Sequence, residues 1–237
     1  MVMACVMAAV IVAGFGLNLA VGRSNFGLPL LYHIHAFVFF GWVALYLTQN
    51  TLVANGAMRL HKRLGWLALG WIPAMVVLGT LMTVHSLQKG APFFFDANEF
   101  LFGNPLGLLY FATMAGTAIR MRRRTDWHRR LMYCAMASLT GPGFGRLLPM
   151  PFIIPWSWWT AAFVFPVIFP LIGVIADKRR TGRVHPAWKW GIGGLFAALL
   201  LADLIAYSPI GQSIAAQVVA GTPGAARPMH AFLPPGL

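Results

Sequence analysis

The stretch Leu64–Thr83, LGWLALGWIPAMVVLGTLMT, runs for twenty residues without a charged side chain, and its apolar positions go all the way round a helix. About twenty residues at 1.5 Å each are what the ~30 Å hydrocarbon core of a bilayer demands. A helix of this length in water needs a polar stripe on one side, and none is present. Ala161–Ala176 has the same character. The solvent that suits these segments is lipid.

Working outward from them, apolar runs at roughly 2–21, 29–54, 64–86, 104–121, 129–147, 157–176 and 188–207 predict an all-α, polytopic transmembrane bundle of about seven helices. The first run lacks the basic n-region and the A-x-A cleavage site of a signal peptide and is expected to stay as a helix. Residues 1–207 then form a single transmembrane domain with spans two to five, about 29–147, as its core. Residues 208–237 are expected to be an irregular extracytoplasmic tail.

The composition agrees with this reading. Of the 237 residues 59% are apolar and only 10% are charged, with a mean hydropathy of +0.71. The formal charge of +13 invites a nucleic-acid reading, but position rejects it. Fourteen of the eighteen Lys and Arg lie in three short loops, within 59–63, 120–130 and 178–189, between apolar runs. By the positive-inside rule those loops are cytoplasmic, as is the N-terminus, and their cations face anionic lipid head groups. No basic domain stands apart from the membrane, so nucleic acid is not an expected partner. Cys5 and Cys134 lie inside predicted helices without a CxxC or CxxCH pattern, which disfavours c-type haem attachment and thiolate zinc.

Ionisable residues within apolar spans are costly, so they mark where function is to be sought. On the second span His35, Trp42 and Gln49 are seven apart and share one stripe, expected to face the bundle interior. His85 falls near the outer end of the third span, antiparallel to the second, and is expected at a depth similar to His35. Two imidazoles on facing helices supply both axial positions of a haem iron, or two ligands of a metal completed by Asp96 or Glu99, with His33 as a substitute for His35. The competing reading is that each histidine only makes an interhelical hydrogen bond.

At the inner face, Leu60-His61-Lys62-Arg63-Leu64-Gly65-Trp66 opens the third span and Trp127-His128-Arg129-Arg130-Leu131-Met132-Tyr133 opens the fifth in the same register. This faint repeat places His61 and His128 at one depth. They are candidate ligands of a second haem, with Arg63 and Arg130 on its propionates, or part of an anionic lipid or phosphate site. His61 and His85 are 24 residues apart, about 36 Å on one helix. That exceeds the ~30 Å core, so one of the two is expected at the interface. Arg146 follows the broken run Gly141-Pro142-Gly143-Phe144-Gly145, and Asp203 of the seventh span is expected to neutralise it beside an outward cavity that includes His85. The aromatic runs Phe93–Phe95 and Trp156–Trp159 suit the interfacial belt.

His35, Gln49, His61-Lys62-Arg63-Leu64-Gly65-Trp66, Trp127-His128-Arg129-Arg130-Leu131, Gly141-Pro142 and Gly145-Arg146 resemble the pattern of an uncharacterised family of small multi-pass bacterial inner-membrane proteins. The resemblance covers spans two to five. It implies an inner-membrane location and carries no established activity. Such proteins are loosely similar to membrane b-type cytochromes, with histidines at both ends of a four-helix core, which implies haem b wherever a bis-histidine pair forms. Two functions are therefore expected as alternatives: a haem-binding or redox subunit, or a non-catalytic structural or assembly subunit of a larger membrane complex with protein partners.

Overall fold

The charge-free runs become helices, because a backbone removed from water can satisfy its N–H and C=O groups only within the segment itself. The structure is a computed structural model that describes residues 1–233; residues 234–237, the end of the predicted tail, lie outside the described residues. Among the described residues every regular element is helical. Five helices are long and apolar enough to cross a membrane: α1 (Val2–Ala20), α2 (Leu30–Ala54), α4 (Ala68–Gln88), α8 (Ser157–Thr181) and α9 (Pro186–Ala206). Between them come α3 (Met58–Gly65), α5 (Ala97–Arg120), α6 (Thr125–Ser138) and α7 (Gly141–Leu147), and the last helix is α10 (Pro209–Val219).

α5 starts earlier than its hydropathy suggested because Asp96 caps it. The carboxylate accepts from Asn98 N at 2.8 Å and Glu99 N at 3.3 Å, satisfying two of the donors that every helix start leaves open. The expected fifth span is broken into α6 and α7 by the Leu139–Thr140 turn, with Pro142 in the first turn of α7. α7 packs closely on α1.

The expected third span also divides. His61 does not open it but lies on α3, a separate short helix with Lys62 and Arg63 exposed in its last turn, and a turn at Trp66–Leu67 precedes α4. His61 and His85 therefore share no continuous helix, and the 36 Å separation inferred from one does not apply.

α5 is the central helix. It packs against α4, α6 and α9, with Phe111, Ala115 and Ala118 fully buried. α9, the expected peripheral seventh span, belongs to this core: Tyr110 Oη donates to Gly191 O at 2.7 Å. α2, the expected core member, buries only Trp42, Val43 and Tyr46. Apolar content cannot separate these two cases, since lipid-facing and core-facing surfaces are equally apolar.

The tail is not irregular through its described part. Ser208 Oγ accepts from Gly211 N at 3.0 Å and starts α10, whose Ala215 and Val219 are buried in a cluster with Leu87, Ala97 and Leu101. Beyond α10 the chain returns to the 90–97 segment. Arg227 Nη2 donates to Phe95 O at 3.0 Å, Ala97 N donates to Met229 O at 2.7 Å and Phe232 N to Phe93 O at 3.1 Å. Phe95 and Trp158, expected in the interfacial belt, are buried against each other with ring centres 5.3 Å apart, while Trp156 is exposed.

Candidate functional site

The end of the molecule formed by α3 and the α5–α6 turn brings two predicted site residues together. The rings of His61 and His128 meet nearly at right angles, with centres 6.3 Å apart. His128 Nδ1 lies 2.8 Å from the carbonyl oxygen of Ala118, so that nitrogen is the donor of this bond. His61 is held by Gln49. With its amide turned to suit both of its ends, Gln49 donates to His61 Nδ1 at 2.5 Å and to His61 O at 3.2 Å, and accepts from Gly65 N at 2.9 Å. Burial first, and the neighbouring His128 second, push His61 below the usual imidazole value, so it is neutral at pH 7.

Gln49 was expected among the polar residues of the bundle interior; it instead ties the end of α2 to α3. The Ala118 carbonyl was not legible at all, because a backbone acceptor carries no residue-type signal. Arg63 is exposed beside the pair and has no ion-pair partner among the described residues. Arg130 is committed elsewhere. Its guanidinium is buried and bidentate on Asp177, Nε to Oδ2 at 2.6 Å and Nη2 to Oδ1 at 2.8 Å, with Nη1 donating to Asp126 O at 2.7 Å. Trp188 Nε1 donates to the same carboxylate at 2.6 Å. Arg130 is thus a structural group and is unavailable for a propionate; its partner is 47 positions away, which no local motif signals.

The outer histidines receive different neighbours. His35 stacks on Phe39 at 4.2 Å and approaches the Leu78 carbonyl, while His85 meets Tyr32 at 5.5 Å. His35 Nδ1 and His85 Nε2 are both buried without a hydrogen-bond partner. Arg146 and Asp203 are not paired either. The Arg146 guanidinium lies 4.0 Å over the Phe15 ring and Nη1 donates to Pro142 O at 2.7 Å, whereas Asp203 Oδ2 accepts from Trp159 Nε1 at 2.8 Å. Arg146 Nε and Asp203 Oδ1 are, like the two imidazole nitrogens, buried without a hydrogen-bond partner.

A third histidine, His185, is fixed at the same end as the inner pair. His185 Nδ1 accepts from Ala187 N at 3.2 Å, which leaves Nε2–H to donate to Asp126 Oδ2 at 2.9 Å. That hydrogen bond holds the Asp126 carboxyl below its ordinary value. A depressed carboxyl contributes stability that is present above its unfolded value of about 3.9 and is lost as pH falls through the folded one. Asp126→Asn is expected to lower Tm slightly at pH 7, with the difference from wild type closing as the pH is taken below about 3.9. Thermal scans from pH 7 to pH 3 check this, and a difference that persists undiminished in acid contradicts it.

Among the described residues no group of three or more His, Cys, Asp or Glu side chains is placed to hold a metal ion. The inner pair is two imidazoles in an edge-to-face contact, with ring centres 6.3 Å apart and planes 81° apart.

The fold and site define an all-helical protein with five helices able to cross a membrane and a paired-imidazole site at one end of the bundle. The chain matches no protein-family profile, no curated protein and no solved structure.

Proposed function

We propose that the protein is a seven-span bacterial inner-membrane protein with a cytoplasmic N-terminus, and that it is a haem-binding or redox subunit in which His61 and His128 would hold the haem. The observation that carries this is the 6.3 Å separation of the two rings. α5 and the α6–α7 pair complete the seven spans, and the concentration of cations in three loops supports the orientation. Ligation was expected at the outer face through His35 and His85, whose Nδ1 and Nε2, respectively, are buried without a hydrogen-bond partner, with His61 and His128 as candidate inner ligands; the inner pair is proposed here because its two rings are in contact.

Haem b, when bound, would supply reversible one-electron exchange. The chain's own residues prepare for it. The Ala118 carbonyl fixes the His128 ring with Nε2 outward, the second-shell arrangement common to ligating histidines. Ligation by His61 through Nε2 needs its other tautomer, which a half-turn of the Gln49 amide provides by presenting Oε1 to Nδ1–H. Arg63 is free to meet a propionate, and Arg130 is not.

The test is a reduced-minus-oxidised visible spectrum of detergent-purified protein expressed with haem supplied. The expected result is an α-band lost in His61→Ala and in His128→Ala and kept in His35→Ala and His85→Ala. A flat wild-type spectrum sinks the haem reading, and loss confined to the outer variants moves ligation back to the outer face.

A second reading, a non-catalytic structural or assembly subunit of a larger membrane complex, is favoured by one observation. His128 Nδ1 and His61 Nδ1 already have partners within the chain, as purely structural histidines do. Under this reading the protein copurifies with partner subunits in mild detergent and shows no haem band.

A further inference from the structure

A cavity of about 300 Å³ opens where the start of α6, the end of α8 and the start of α9 meet, lined by Asp126, Arg129, Arg130, Asp177, Arg183 and His185 among others. Its charges do not cancel. Asp177 is taken by Arg130, and Asp126 by His185. That leaves the guanidinium groups of Arg129 and Arg183, both exposed and without an ion-pair partner among the described residues. The floor is preorganised, because Arg130, Asp177 and Trp188 lock one another. The N-terminus of the 21-residue α9 adds its positive dipole end at the same place.

Two unpaired guanidinium groups over a rigid floor fit a phosphate oxygen cluster, which arginine binds with paired donors. The surface leading to the cavity is apolar. On α9, Trp190, Gly193, Ala197, Leu201 and Leu204 are all exposed at spacings of three and four, one continuous stripe on the same face as Pro186, which lines the cavity. Exposed Trp190 on α9 stands at the same level as Lys189, a pairing typical of the head-group layer.

We infer that this cavity binds the phosphate of an anionic glycerophospholipid, held by Arg129 and Arg183, with its acyl chains along the α9 stripe. The inference rests on the chain crossing a membrane and is independent of haem, so a flat haem spectrum leaves it standing. It also differs from the phosphate site first expected around His61 and His128.

Calorimetric titration of the detergent-solubilised protein with dioctanoyl phosphatidylglycerol, dioctanoyl phosphatidylcholine and inorganic phosphate tests it. Saturable phosphatidylglycerol binding is expected, weakened about tenfold or more in Arg129→Gln/Arg183→Gln. It should be nearly unchanged in Arg122→Gln/Arg123→Gln, which removes the same charge from the α5–α6 turn. Arg129→Lys/Arg183→Lys should restore most of the affinity, which separates a lost site from a misfolded variant. Equal weakening in the turn variant, or wild-type affinity in the cavity variant, overturns the site. Inorganic phosphate binding as tightly as the lipid, or phosphatidylcholine binding as well as phosphatidylglycerol, overturns the lipid assignment.

Discussion

Asp177→Asn is expected to lower the free energy of unfolding by about 3–5 kcal/mol, the largest effect of any single substitution named above. Arg130 and Asp177 are 6% and 8% exposed, and the carboxylate accepts from Arg130 Nε, Arg130 Nη2 and Trp188 Nε1. Asparagine keeps the shape but brings an NH2 group to a place where every neighbour is a donor. One oxygen then serves three donors, and a buried guanidinium loses its counter-charge. A double variant, Arg130→Met with Asp177→Leu, is expected to recover much of the loss, since replacing both partners of a buried pair by apolar groups is often neutral. Thermal unfolding in detergent reads both. If the single variant stays within about 1 kcal/mol of wild type, the pair is solvated and this account fails.

Gly14→Leu should separate α1 from the rest of the bundle. A Cβ on Gly14 would lie 2.5 Å from Gly143 O and 2.8 Å from Gly143 Cα, and one on Gly143 would lie 2.8 Å from Val10 O. These are backbone atoms on both sides and cannot rotate away, so the helices must part. Close backbone approach through small residues drives helix association in lipid, where apolar burial does not. A loss of about 1–3 kcal/mol is expected, with helical content kept and the α1–α2 linker opened to protease. Gly16→Leu, two residues on with nothing within 4 Å of its Cβ, is the control and should behave as wild type. Equal sensitivity of the two positions would show that lipid-facing bulk, and not the α1–α7 contact, sets the effect.

The inner histidines were readable because their information is local. His61 and His128 each sit in a basic, apolar-flanked heptapeptide at the start of a helical run, and equal depth follows from membrane topology alone. His35 and His85 were placed by counting residues along two antiparallel helices, which gives depth to within a turn or two and says nothing about which way a ring turns. Arg146 and Asp203 show where such placement misleads: opposite charges near one face are no proof of contact, and the Phe15 ring and the Trp159 indole took them instead.

By itself the sequence determined that the chain has helices long and apolar enough to cross a membrane, since a charge-free stretch such as Leu64–Thr83 is of the length and character that a bilayer core demands. Which helix is central was decided only by the tertiary structure. α2 and α9 are equally apolar, and only packing selects α9 as the partner of α5 while leaving α2 at the periphery. The same holds for Arg130, whose partner lies 47 residues away, and for Gln49, which the turn after α2 brings to His61. Apolar pattern is a property of each segment and survives in any arrangement. Pairing depends on which segments meet, and only the folded chain contains that.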